Sequence, residues 1–143
     1  MRIFLDANVY FAGMFSIKGA SAVILELARR EKITVYASRL VLREAERNLR
    51  KKSSAVILKN YHRFLQKTKI HIVRPPDERL FRPYDECIHP KDLPVLVAAM
   101  QSGADYLVTL DRRHFMTPAV LSKVKAVRIL SSGDFLKVFM GQK

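Results

Sequence analysis

Residues 2–5 form a short apolar run that Asp6 interrupts, the pattern of a buried strand ending on an acid and followed by a loop. From Ser21 the apolar positions Ala22, Val23, Leu25, Leu27 and Ala28 run into the charged cluster Arg29 to Lys32. This predicts a helix whose basic end suits its negative dipole. Ile33 to Ala37 reads as a second strand. Ser38 offers an N-cap for a helix to about Lys52, in which Leu42, Ala45 and Leu49 recur at helical spacing. Ser53 and Ser54 can cap another to about Thr68, where Val56, Ile57, Leu58, Tyr61, Phe64 and Leu65 make one broad stripe. Ile70 to Val73 is the third predicted strand.

The stretch from Arg74 to Pro90 carries Pro75, Pro76, Pro83 and Pro90 among charges, an irregular connection whose length suits a functional loop. Asp92 then precedes an apolar helix through about Gln101, Gly103 ends it, and Asp105 to Leu110 forms a strand running into Asp111. A weak helix after Pro118, a strand at about Ala126 to Leu130 and a last helix from Ser132 complete the alternation. Strands alternating with helices predict an α/β fold with a parallel sheet covered on both faces. In such sheets ligands bind beyond the carboxyl ends of the strands, where this pattern places Asp6 and Asp111.

The chain has 143 residues, 49% of them hydrophobic, enough for one domain over 1–143 with a sizeable core. Its 26 Lys and Arg stand against 13 Asp and Glu, a net charge of +13 that an anionic partner would relieve. A phosphate backbone is the natural candidate. A thermophile-like ionic surface enriches Glu along with Lys and does not account for a two-to-one basic excess. The excess is concentrated: from Arg29 to Lys69 there are 13 Lys and Arg against three acids. Arg43, Arg47, Arg50, Lys51 and Lys52 share one helix and its end with Glu44, Lys59, Arg63, Lys67 and Lys69 extend the track, and Arg112 and Arg113 follow Asp111. The plainer reading of such a run is a solvated helix face. Cys87 is the only cysteine, which excludes an intramolecular disulfide and favours a reducing cytoplasm. We read its thiol as buried filler. Asp6 breaks the apolar run that a secretory leader needs, and no apolar stretch approaches the roughly 18 residues of a membrane span, so a soluble, cytoplasmic protein without membrane contact is expected.

Four acids sit where chemistry could use them, and each has a structural alternative. Asp6 with Asn8 can form a turn that caps the next segment, and Asp111 can be the turn after a strand. Asp92 stands at an N-cap position with Pro94 in the first turn. Glu44 can pair with Arg47 or Asn48 on a solvated face, and Glu46 is its rival. Helical phase favours Glu44, which lies beside Leu42 and Ala45, whereas Glu46 falls among Arg43, Arg47 and Arg50. An all-carboxylate set suits a hard divalent cation, Mg²⁺ or Mn²⁺. The four His show no zinc-ligand spacing and a lone cysteine builds no zinc site. No Gly-rich phosphate loop and no Gly-x-Ser-x-Gly elbow occur, which argues against nucleotide hydrolysis and serine catalysis. Tyr10 and Phe11 could stack a base but read more naturally as core. His62 and His71 have no partner that the sequence names, and His114 reads as surface.

Together these segments resemble a PIN domain. The likeness rests on Leu5-Asp6-Ala7-Asn8, on Leu42-Arg43-Glu44-Ala45-Glu46-Arg47-Asn48-Leu49, on Asp92-Leu93-Pro94-Val95-Leu96-Val97-Ala98-Ala99, on Gly103 to Asp111, and on the closing Gly133-Asp134-Phe135-Leu136. The resemblance implies a three-layer α/β/α sandwich around a central, mainly parallel five-stranded sheet. It implies that Asp6, Glu44, Asp92 and Asp111 hold Mg²⁺ or Mn²⁺ and carry catalysis, supported by Asn8 and Thr109. His89 departs from the pattern, since related sequences often carry an acid there, which implies one tight metal and one loose one. The implied function is a divalent-metal-dependent endoribonuclease, either the toxin of a toxin–antitoxin pair of the VapC type or an RNA-processing enzyme. The alternative is a non-catalytic nucleic-acid-binding PIN module with a degenerate acidic site, and a third reading is a scaffold whose basic face meets acidic protein. Expected partners are RNA, with DNA as a further substrate class, an acidic antitoxin, and a second copy of the chain meeting the Val56 to Leu65 stripe, which core packing would equally explain. Four clustered carboxylates would repel one another and raise their pKa values, leaving the site poised for a cation.

Overall fold

The computed structural model describes residues 1–141. Its elements follow the order β1 (Arg2–Leu5), α1 (Ala7–Phe15), α2 (Ala20–Arg29), β2 (Thr34–Ala37), α3 (Arg39–Lys52), α4 (Ala55–Lys67) and β3 (Ile70–Ile72). After two short 3-10 turns, Glu78–Leu80 and Arg82–Tyr84, come α5 (Leu93–Ser102), β4 (Tyr106–Val108), α6 (Arg112–Phe115), α7 (Pro118–Lys123), β5 (Arg128–Leu130) and α8 (Ser132–Gly141). The five strands pair in parallel in the order β3-β2-β1-β4-β5. Phe4 of β1 aligns with Tyr36 on one side and Leu107 on the other. Helices cover both faces, giving the expected three-layer arrangement. The central strand is the one whose Ile3, Phe4 and Leu5 are fully buried, as an uninterrupted apolar run requires when both faces are covered. Helices α1, α2, α3, α4 and α8 pack on one another, and α5 packs against β2 and β4.

From β1 the chain builds outward through β2 to β3, then returns across β1 to lay down β4 and β5 on the opposite side. That reversal between β1 and β4 opens a crevice at their carboxyl ends, because the connections leave the two strands in opposite directions. Asp6 closes β1 there, and Thr109 to Asp111 follow β4.

Several local expectations meet the structure directly. The Ser38 side chain accepts from the Val41 N–H and the Ser54 side chain from the Ile57 N–H, so each relieves an unpaired donor of a helix start. Gly103 ends α5 at φ 75°, a left-handed conformation that costs a residue without Cβ little. Within the α4 stripe Tyr61 and Phe64 are buried, Ile57, Leu58 and Leu65 pack partly against the core, and Val56 stays exposed.

Two expectations are corrected and one element is added. Asp6 is followed by helix α1 and not by a loop; the helix is apolar on every side, so no amphipathic period betrays it. It can be buried because α2, α3 and α4 all pack on it, and Gly13 lets α2 approach: a Cβ there would collide with Leu25 and lie 3.1 Å from the Ser21 carbonyl oxygen. The strands predicted over 105–110 and 126–130 shorten to β4 and β5. At the start of the first, the Asp105 carboxylate takes the Arg2 N–H at 3.0 Å. Finally, the four-residue α6 directly follows Asp111. Among the described residues, no single helix is long and apolar enough to cross a membrane.

Candidate functional site

Asp6 is the N-cap of α1 and is 7% exposed. One carboxylate oxygen accepts the Ala7 N–H at 2.8 Å. The other accepts the Thr109 hydroxyl at 2.8 Å and the Asn8 amide at 3.3 Å. Thr109, fully buried, also accepts from the Asn8 amide at 3.3 Å and from the Asp111 N–H at 3.1 Å. The Asn8 amide oxygen in turn accepts the Leu110 N–H at 3.0 Å. This network ties the end of β1 to the segment after β4 and leaves Asp6 no freedom to turn. Burial pushes the Asp6 carboxyl up to about 6, opposed by the Thr109 and Ala7 hydrogen bonds and reinforced by the charges of Glu44 and Asp92.

Asp92 occupies the N-cap position of α5, yet its side chain makes no capping hydrogen bond. Capping therefore does not account for it, and its half-buried carboxylate is free to face the crevice. Partial burial raises its pKa first and the neighbouring Asp111 second, against the lowering influence of His114, His89 and Lys91. Asp111 does cap, accepting the His114 N–H at 3.1 Å at the start of α6. Glu44 and Asn48, one turn apart on α3, close the crevice from the other side.

Together Asp6, Glu44, Asp92 and Asp111 line one cleft of about 290 Å³, with Asn8, Asn48, His89, Lys91 and His114 in its walls. Thr109 stands behind Asp6 rather than in the cleft. Glu46 lies elsewhere, bonded to His62 and 3.8 Å from Arg50. The cations Arg43, Arg47, Arg50, Lys51, Lys52, Arg112 and Arg113 are all exposed and none lines the cleft. Arg43 borders a separate groove with Ser38, Leu40, Val73 and Pro75. Arg112 turns to Ser131 at 3.2 Å and Asp134 at 3.6 Å. The cation within the cleft is Lys91, which charge counting along the helices passes over.

The histidines differ most from the sequence reading. The Nδ1 of His114 lies 2.8 Å from Asp111 Oδ2 and 3.9 Å from Asp92 Oδ2, so this side chain belongs to the cleft. Its signal was its position three residues beyond a capping acid, on the same turn of α6. His89 Nδ1 accepts the Lys91 N–H at 3.0 Å. His62 has Glu46 as partner, and His71 packs on Tyr36 with ring centroids 5.2 Å apart. Tyr10 is fully buried edge-on to Tyr61, which removes it as a base-stacking surface, and Phe11 stacks on Phe15. Cys87 is half-buried, its thiol directed to the Tyr84 carbonyl oxygen at 3.2 Å.

Four carboxylates facing one open cleft, one of them held rigid and another left without a cap to satisfy, fit a hard divalent cation. The donor atoms of Asp92, Asp111 and His114 lie within 4.8 Å of one another, close enough to share an ion.

A family model described as PIN domain matches residues 2–113 of the chain. Among solved structures, the fold is similar to that of VapBC2 from Rickettsia felis bound to a DNA fragment from their promoter, with TM-score 0.62, 18% identity, and coverage of 92% of this chain and 98% of that one. It is also similar to PAE2754 from Pyrobaculum aerophilum, with TM-score 0.60, 21% identity, and coverage of 99% of this chain and 91% of that one. No curated protein sequence matches the chain.

Proposed function

The chain belongs to the PIN-domain family, and from that membership and the geometry of its cleft we propose that it is a divalent-metal-dependent endoribonuclease, a single PIN-like domain over 1–143. The observation that carries this reading is the convergence of Asp6, Glu44, Asp92 and Asp111 on one cleft, with the Asp92 carboxylate uncommitted to its own helix. These four residues hold Mg²⁺ or Mn²⁺ and carry catalysis. The cation, when bound, supplies the Lewis acidity that activates water and stabilises in-line displacement at phosphorus. The chain's own contributions are positional. Asp6 is fixed by Thr109, Asn8 and the Ala7 N–H, so the cation's place is set by the end of the sheet. Lys91 at the cleft wall draws the scissile phosphate by charge. The exposed cations of α3, with Arg112 and Arg113, bind the flanking strand outside the cleft.

A chain of net charge +13 suits an acidic partner, and the likeness of fold to VapBC2 supports an antitoxin in that role. The test is a gel assay on mixed RNA, with DNA alongside, in EDTA, Mg²⁺ and Mn²⁺, comparing wild type with Asp6→Asn and Asp111→Asn. We expect RNA cleavage only with added metal, and a loss of at least about a hundredfold in either variant with RNA binding retained. Salt-sensitive RNA binding with no cleavage under any condition would replace this reading with that of a non-catalytic binding module.

A further inference from the structure

The cleft is not lined by oxygen alone. Within the same lining as Asp6, His114 brings a ring nitrogen to two carboxylates. The spacings from His114 Nδ1, 2.8 Å to Asp111 Oδ2 and 3.9 Å to Asp92 Oδ2, fall in the range that ligands of one ion adopt. Neighbouring ligands about 2.1 Å from an octahedral centre lie about 3 Å apart and opposite ones about 4.2 Å. The ring is directed by its backbone: the His114 N–H on Asp111 Oδ1 holds both residues on the first turn of α6. Without an ion, Nδ1 carries the proton that the Asp111 carboxylate accepts. Ligation needs the tautomer with the proton on Nε2, which frees the Nδ1 lone pair for the ion.

His89 does not compete for this role, although its ring stands 6.0 Å from that of His114. Its Nδ1 lone pair already accepts the Lys91 N–H, so in the neutral ring Nε2 bears the proton and is a donor only. Among the described residues the cleft therefore offers one imidazole nitrogen as ligand, and its identity is fixed by hydrogen bonding. Mg²⁺ takes oxygen ligands and keeps its water, whereas imidazole suits the transition ions, whose affinity for nitrogen-containing sites rises from Mn²⁺ through Co²⁺.

We propose that Asp92, Asp111 and His114 form a mixed oxygen–nitrogen subsite that selects Mn²⁺ over Mg²⁺, with His114 Nδ1 as direct ligand. This rests on the reading of the cleft as a metal centre, but not on what substrate the centre cuts. The test uses the full chain with one equivalent of Mn²⁺ and reads nitrogen coupling to the ion by electron spin-echo spectroscopy, with calorimetric titrations of Mn²⁺ and Mg²⁺ in parallel. We expect coupling from a bound imidazole in wild type and in His89→Ala, its loss in His114→Ala, and a fall of about tenfold in the Mn²⁺-to-Mg²⁺ affinity ratio in that variant. Circular dichroism confirms that His114→Ala, altered at an exposed residue, remains folded. Absence of coupling in wild type, or coupling and ratio unchanged in His114→Ala, overturns the proposal even if the protein cleaves RNA. Coupling that depends on His114 upholds it even if no RNA is cut, and in that case the nuclease reading alone falls.

Discussion

The two sides of the cleft are built in different ways. Asp6 stands at the tip of the central strand, almost fully buried, its two oxygens engaged by Ala7, Thr109 and Asn8. Asp92 and Asp111 stand just before α5 and α6 and His114 within the four-residue α6; they are half-buried or exposed and depend mainly on one another. One side is therefore a fixed reference set by the sheet, while the other can adjust its ligands to whatever occupies the cleft. A rigid anchor facing adaptable ligands lets a site demand a position without demanding one exact coordination shell.

The sharpest way to break this comparison is through pH. The Asp6 carboxyl, pushed up to about 6 by burial, ordinarily titrates at 3.8. Because the folded value is the higher, its contribution to stability is complete below about pH 4 and is lost as pH rises through about 6. That gap corresponds to about 3 kcal/mol. In EDTA, urea unfolding of wild type should therefore lose about 2.4 kcal/mol more than Asp6→Asn between about pH 4 and pH 7.5, and parallel profiles would contradict the account. A smaller effect is expected behind the anchor. Thr109→Val removes the hydroxyl that serves Asp6 and orphans the Asp111 N–H, which should cost about 2 kcal/mol by denaturant titration. The smallest belongs to the adaptable side: His114→Ala should change metal-free stability by under about 0.5 kcal/mol, since its side chain is exposed and its pairing is solvent-screened. A loss in His114→Ala as large as that in Thr109→Val would mean that the two sides are equally structural.

Most of the sheet and its covering helices were legible because apolar period and capping serines agree: Ser38 and Ser54 start α3 and α4 where the stripes begin. The phase of α3 likewise separates Glu44, in the cleft, from Glu46, which bonds His62. Helix α1 was not legible, since apolar residues nearly all the way round it erase the contrast that periodicity measures. Nor was the freedom of Asp92: an N-cap residue and a cleft ligand look alike until the backbone shows that the carboxylate makes no cap. His114 was missed because its partners lie on two separate segments, one of them remote in sequence. Charge counting located the basic excess but not its direction, and Arg43 borders a different groove from the one Glu44 lines.

The parallel pairing of β1 with β4 also sets a timetable. The hydroxyl that secures Asp6 arrives 103 residues later in the chain, and Asp111 and His114 later still. During synthesis, α1 to α4 can gather around β1 and β2 while the crevice has only one wall. The centre is assembled when the segment through α6 leaves the ribosome and closes a long loop onto the first strand. Until then Asp6, Glu44, Asp92 and Asp111 cannot line one cleft, so the site is absent while most of the chain is being made.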